Sequence, residues 1–264
     1  MKLTDVTAFA KNLPRLTREL WRYARYRRAL WHELEARQGG VTPIESVSLL
    51  EALKRVHSYR FPERDWPTTP TYSLKAGDDL EDREMLFLAM LCLTVQPKAI
   101  FEIGTYEGRT ANVMALHTDE ACRICTLDLP PEQAGQTKWA VGDYDRKLQG
   151  KEGTQLAKRL GSLPDPEDNA RIQQLFGDSA NFDYGPYREQ MDLVFVDGAH
   201  SFDYVMSDTA KALTMIAERG IILLHDYQSN EDVTLAATVL RKSHEVIHLS
   251  EMTFAILFPR AQAK

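Results

Sequence analysis

Three groups of residues in this chain have the types and spacing that chemistry requires. The first is Phe101-Glu102-Ile103-Gly104-Thr105-Tyr106-Glu107-Gly108-Arg109-Thr110, where a short apolar strand pattern delivers a carboxylate and two glycines follow four residues apart. Glycines so placed let the backbone turn tightly and let a ligand approach the main chain and the amino end of the next helix. The spacing is Gly-x-x-x-Gly with no third glycine, so it is not the dinucleotide fingerprint and disfavours a pyrophosphate cofactor. The second is Asp128, closing the next strand pattern, where an acidic side chain can accept both hydroxyl hydrogens of a ribose. The third consists of two further strand ends, Phe195-Val196-Asp197-Gly198-Ala199-His200 and Leu223-Leu224-His225-Asp226-Tyr227. If those strands are parallel neighbours, Asp197, His200, His225 and Asp226 converge at one mouth.

The elements that must position these residues follow from periodicity. Strands are expected at Ala99–Ile103, Arg123–Asp128, Ile172–Phe176, Leu193–Asp197 and Ile221–His225. Helices are expected from Asp82 to the stop at Pro97, over Phe202–Glu218 and over Asp232–Lys242. This alternation calls for a mainly parallel sheet with helices on both faces. Only Ser250, Glu251 and Met252 separate Glu245–Leu249 from Thr253–Phe258, too few for a parallel crossover, so these two strands form an antiparallel carboxyl-terminal hairpin. The expected fold is α/β, a Rossmann-like seven-stranded sheet over residues 81–264, preceded by a helical extension and linker over residues 1–80. Within the extension a second helix is expected from Pro43 to about His57, then a proline-rich linker from Ser58 to Asp79. Pro130 to Ala170 is longer than one crossover needs, with helical character at Gln155–Leu160. It reads equally as a lid or as a surface excursion.

Length and charge bound the function classes. The chain has 264 residues, 44% apolar and 27% charged, which suits a globular protein and not a disordered or disulfide-stapled one. Apolar runs such as Leu86–Cys92 fall far short of the roughly 20 residues of a membrane span. The first ten residues carry no signal-peptide pattern, so a cytoplasmic location is expected. The net charge of −6 is uneven: residues 11–40 hold eight basic against three acidic side chains, which leaves the remainder strongly acidic. An acidic body repels polyanions and counts against a nucleic-acid partner, unless the arginine-rich helix at 11–40 captures one by itself. For that helix four roles compete: packing on the body or in a homodimer, a substrate lid, an anionic-membrane contact and an RNA contact.

On Glu102-x-Gly104-x-x-x-Gly108 and the acidic end of the second strand, the sequence resembles the class I S-adenosylmethionine-dependent methyltransferases over roughly residues 80–260. The resemblance implies that Glu102, Gly104, Tyr106 and Gly108 line the methionine part of that cofactor. It implies that Asp128 holds the ribose, and that Asp178 with Ser179 contacts adenine. The chain lacks the Asn/Asp-Pro-Pro-aromatic signature of amide- and base-nitrogen methyltransferases. Its Asp197-x-x-His200, with Asp226 after the fifth strand, resembles instead the divalent-metal-dependent O-methyltransferases of the catechol and macrolide-sugar types. In those, the first Asp and the later acidic residue bind magnesium and the residue three past the first Asp is the base, which implies Asp197 and Asp226 as ligands and His200 as base. The chemistry is coherent: a cation stabilises an alkoxide, a nearby imidazole takes the proton, and the hydroxyl of a small-molecule acceptor becomes nucleophilic enough to attack the sulfonium methyl. One departure is His225, where the sugar-type enzymes have an acidic residue. Either His225 is a third ligand, suited to manganese or iron, or the metal site is degenerate or absent.

Other readings stay open: an RNA methyltransferase using the basic helix, a hydroxylase-like relative, and a cofactor-binding protein without catalysis. Cys122 and Cys125 spell Cys-x-x-Cys but sit at a strand entry where residues three apart face opposite sides, so no zinc or redox role is expected. Cys92 is read as core. Trp66, Tyr72, Trp139, Tyr144 and Tyr187 are candidates for an acceptor pocket wall.

Overall fold

The computed structural model describes residues 44–64, 83–106, 108–148, 171–250 and 252–260. The arginine-rich segment 11–40, Trp66, Tyr72, most of the proline-rich linker and the helix expected at Gln155–Leu160 lie outside the described residues. The described residues fall in the unit Ile44–Lys264.

The elements run β1 (Glu45–Val47), α1 (Leu49–Arg60), α2 (Arg83–Val95), β2 (Ala99–Ile103), α3 (Arg109–Leu116), β3 (Arg123–Asp128), α4 (Asp143–Leu148) and β4 (Ile172–Phe176). Then come β5 (Met191–Val196), α5 (Phe202–Met215), β6 (Ile216–Leu224), α6 (Glu231–Leu240), β7 (Glu245–Leu249) and β8 (Ala255–Phe258). They build one sheet in the order β1-β7-β8-β6-β5-β2-β3-β4. Every pairing is parallel except those of β8, which is antiparallel to both β6 and β7. The Rossmann-like sheet with its antiparallel carboxyl-terminal strands is therefore present.

An eighth strand is added at the edge. Glu45–Val47, expected to be helical, pairs with β7, and Ser46 Oγ lies 2.9 Å from His248 Nδ1. The described helix then starts at Leu49, capped by Ser48, whose side chain accepts from Glu51 N–H. Three residues are too few to show strand alternation, so only pairing with β7 reveals β1. The helix α5 also stops earlier than expected, at Met215, because Ile216 already pairs with Met191 at the start of β6.

The central strands are apolar on both faces because helices cover both. On one face Leu53 and Val56 of α1, Phe87, Leu88 and Leu91 of α2 and Met114 of α3 pack on Ile100, Leu193, Phe195 and Leu223. On the other, Ala212 and Met215 of α5 and Ala237 and Leu240 of α6 cover Phe101, Val194, Val196, Ile222 and Leu224. Cys122 belongs to the first core and Cys125 to the second, so the Cys-x-x-Cys pair straddles the sheet as its spacing implied. Burial raises the pKa of both thiols. Among the described residues no helix is long and apolar enough to cross a membrane.

Candidate functional site

Strand order reverses at β2, whose neighbours are β3 on one side and β5 on the other. At such a switch point the connections leave in opposite directions, and a crevice opens beyond the carboxyl ends of the strands. A cavity of about 660 Å³ occupies that place. It takes residues from the ends of β2 to β6, together with residues of the excursion after β3 and of the turns leading into α5 and α6.

The β2 end is built on Gly104. Its φ is +96°, and a Cβ there would come within 2.1 Å of the Asp197 carbonyl oxygen, a backbone atom that cannot swing away. Gly104 therefore lets β2 and β5 meet at the floor, where its N–H donates to Leu127 O at 2.8 Å and Asp197 N–H donates to Ile103 O at 2.8 Å. Tyr106, also at positive φ, is half exposed on the cavity wall. Two residues of this motif lie elsewhere. Gly108 does not line the cavity; it caps α3 in the left-handed region at φ 72°. Glu102 is fully buried and accepts from Thr110 and Thr126 hydroxyls, with burial pushing its pKa up to about 8. Glu102 thus holds the start of α3 to β3 behind the wall.

At the β3 end, Asp128 faces the cavity. Its Oδ1 accepts from Leu129 N–H at 2.8 Å, while Oδ2 is buried without a partner among the described residues. Burial raises its pKa to about 6. A carboxylate oxygen left in this condition fits a ligand that brings hydroxyl donors. At the β4 end Asp178 and Ser179 both line the cavity, but both oxygens of Asp178 are occupied by protein donors. Ala180 N–H and Tyr204 O–H reach Oδ1 at 3.0 and 2.9 Å, and Lys138 N–H and Asn181 Nδ2 reach Oδ2 at 2.8 and 3.2 Å. Asp178 therefore fastens the excursion around Trp139, whose ring packs edge-on against Tyr204 at 5.2 Å, behind the cavity wall. Tyr144 does line the cavity, whereas Tyr187 packs on Phe101 in the second core.

The β5 and β6 ends bring Asp197, His200, His225 and Asp226 together as their spacing implied. Asp226 takes a left-handed backbone, φ 58°, a conformation that Asp tolerates better than most residues. His225 Nδ1 lies 2.8 Å from Asp197 Oδ1 and 3.1 Å from Asp226 Oδ2. His200 Nε2 lies 2.7 Å from Asp226 Oδ2. Two carboxylates that sequence patterns did not single out complete the cluster. Glu84, in the first turn of α2, places Oε2 3.2 Å from His225 Nε2, and Thr253 donates to its Oε1 through both N–H and hydroxyl. Asp145 of α4 receives His200 N–H at 3.2 Å and meets His200 Nδ1 at 2.5 Å. Neither lies at a strand end, where sequence reasoning had searched.

These contacts set the charge states. Burial alone would lower both histidines, but the hydrogen bonds that His200 donates to Asp145 and Asp226 raise it to about 10, and the charge and hydrogen bond of Asp197, with bonds to Asp226 and Glu84, raise His225 well above its ordinary range. Burial would likewise raise Asp226 and Glu84, yet the imidazoles hold Asp226 far below the usual carboxylate range and His225 with Thr253 brings Glu84 down to about 2.

Residues 101–227 match the family model described as Methyltransferase domain. This stretch is a class I S-adenosylmethionine-dependent methyltransferase domain. No curated protein matches the chain. Among solved structures, the SAH-bound Podospora anserina methyltransferase PaMTH1 is 17% identical, with a TM-score of 0.50 over 82% of this chain and 89% of that one. Cofactor-bound Rv0187 from MTB is 16% identical, with a TM-score of 0.50 over 81% and 90%. At such identities the likeness establishes the shared fold of the methyltransferase domain.

Proposed function

We propose that this methyltransferase domain binds S-adenosylmethionine along β2, β3 and β4 and methylates a hydroxyl of a small molecule at the β5 and β6 ends, with a divalent cation at Asp197, Asp226 and His225. The observation that carries the reading is the convergence of one oxygen or nitrogen from each of those three residues within 4.8 Å, beside His200 and on the same cavity. The residues fit both groups. The buried Oδ2 of Asp128 supplies the acceptor that a ribose needs, and the Gly104 turn keeps the floor open to the methionine part. Two carboxylates and one imidazole suit manganese, iron or magnesium. When bound, the cofactor supplies an electrophilic methyl on a sulfonium and the cation stabilises an alkoxide.

The protein's own groups then have defined tasks. Glu84 holds the Nε2 proton of His225, which turns Nδ1 and its lone pair toward Asp197 and Asp226, the carboxylate-to-histidine arrangement that orients metal ligands. Asp145 fixes His200 through Nδ1 in the same way. With Asp226 committed to a cation, Nε2 of His200 is left to accept the acceptor's hydroxyl proton. Ala199 and Tyr144 form the adjoining wall.

The test is methyl transfer to a panel of diols and phenols, with and without chelator, alongside calorimetry with S-adenosylmethionine. Expected are cofactor binding, chelator-sensitive turnover, and loss of turnover in Asp197→Ala and His200→Ala with cofactor binding retained in the latter. Turnover that ignores the chelator and survives both substitutions overturns the metal-and-base mechanism.

A further inference from the structure

The described wall of the cavity is acidic beyond anything the proposed chemistry uses. Seven aspartates line it, among them Asp143 and Asp232 in addition to those at the strand ends and Asp145, and no lysine or arginine does so among the described residues. Two imidazolium groups, one divalent cation and one sulfonium would together bring at most five positive charges against seven negative ones. Charge of one sign in a concave, partly desolvated site raises the local concentration of the opposite sign and repels its own. A second observation points the same way. Tyr106 and Tyr144 are both more than half exposed, at 52% and 66%, on this same wall, and Tyr144 stands edge-on to His200 with ring centroids 5.8 Å apart. Open aromatic faces beside carboxylates are the surroundings in which an ammonium group is held.

Resting on the function proposed above, we infer that the acceptor is a cation: a small molecule that carries an amine as well as the hydroxyl to be methylated, such as an amino sugar or an aminoalkyl phenol. Acceptors bearing phosphate or carboxylate are excluded by the same field. Asp143, Tyr144 and Asp145 follow one another on α4, so this short helix presents two carboxylates and an aromatic ring beside His200. Arg146 pairs with Asp143 and His200 with Asp145, which offsets part of the charge of both.

The experiment uses the full chain with S-adenosylhomocysteine and magnesium, and reads binding by calorimetry and thermal shift. Two matched series are compared: dopamine, 4-methylcatechol and 3,4-dihydroxyphenylacetate, and glucosamine, glucose and glucuronate. The expected order on each scaffold that binds is amine above neutral above acid, with the amine about tenfold or more tighter than the acid and the gap narrowing as salt rises. Asp143→Lys, at an exposed position, is expected to shrink that gap several-fold. An acid that binds as well as its amine on either scaffold overturns the inference. So does the absence of binding by both amines at 10 mM, on the order of a weak-substrate limit. Because binding is read without turnover, a wrong order alongside chelator-sensitive methyl transfer would overturn the acceptor class alone, and failure to bind S-adenosylhomocysteine would overturn the function beneath it.

Discussion

Asp128 offers the sharpest single test, because one carboxylate controls both cofactor affinity and its pH dependence. Its buried Oδ2 has no hydrogen-bond partner among the described residues, and burial raises its pKa to about 6. Ribose hydroxyls donate to the ionised form, so binding requires the proton to leave. Below pH 6 a growing fraction of the protein is protonated at Asp128. At pH 5 only about a tenth remains ionised, and cofactor affinity should be about tenfold weaker than on the plateau above pH 7. Asp128→Asn keeps the size but loses the charge. Hydrogen bonds to a charged group contribute about 1.5–3 kcal/mol, so the variant should bind S-adenosylmethionine about 10- to 150-fold more weakly at pH 7.5. Its affinity should not respond to pH between 5 and 7.5. Stability should move the other way. A carboxylate whose folded pKa exceeds its unfolded value favours the fold only while protonated, and that contribution is lost as pH rises through about 6. At pH 8 the apo Asn variant should therefore exceed the wild type by about 1–3 kcal/mol in urea unfolding, and the difference should vanish near pH 3.5. Calorimetry across pH 5 to 8 is the assay. An Asn variant that binds as tightly as the wild type, or that keeps the wild-type pH slope, refutes the assignment of Asp128 to the ribose.

Gly104→Ala should lose at least about 3 kcal/mol of stability in urea, since positive φ and a clash with the Asp197 carbonyl act together; a loss under about 1 kcal/mol would show that β2 and β5 can separate. Glu102→Gln should gain stability over the wild type as pH rises from about 4.5 through 8, because the folded-state pKa of about 8 means the wild type must ionise a buried acid there; parallel melting curves from pH 5 to 9 would count against this. Glu84→Gln should weaken manganese binding, followed by calorimetry, about 10- to 100-fold while leaving S-adenosylmethionine affinity within about twofold. Equal manganese affinity in that variant would remove Glu84 from the cation site.

What the sequence disclosed and what it concealed divide along a physical line. Gly104, Asp128, Asp197, His200, His225 and Asp226 were legible because each stands at or just past the carboxyl end of a recognisable strand. Parallel strands at a switch point bring such ends together whatever the loops do. Four of the strands expected from pattern coincide with β2, β3, β4 and β7, and β2, buried along its whole length, shows the clearest reason: buried parallel strands read as nearly continuous apolar runs with turn residues at both ends. Glu84 and Asp145 were concealed because they approach the histidines from outside that geometry, one from the first turn of the helix that precedes β2 and one from the excursion after β3. Their partners lie 141 and 55 residues away in sequence. Each is flanked by ordinary charged residues and carries no local signature; only tertiary packing gives it a partner. Glu102 and Gly108 show the converse. A motif residue can match in spacing yet serve the scaffold, since the same turn that opens the main chain to a ligand needs a buried acceptor to hold its helix and a left-handed residue to start it. The two concealed carboxylates matter most to function, for they orient the nitrogen that would face a cation in His225 and the one that would face a hydroxyl in His200. The strand ends bring the reactive groups together, and the residues with no pattern set which atom of each is turned inward.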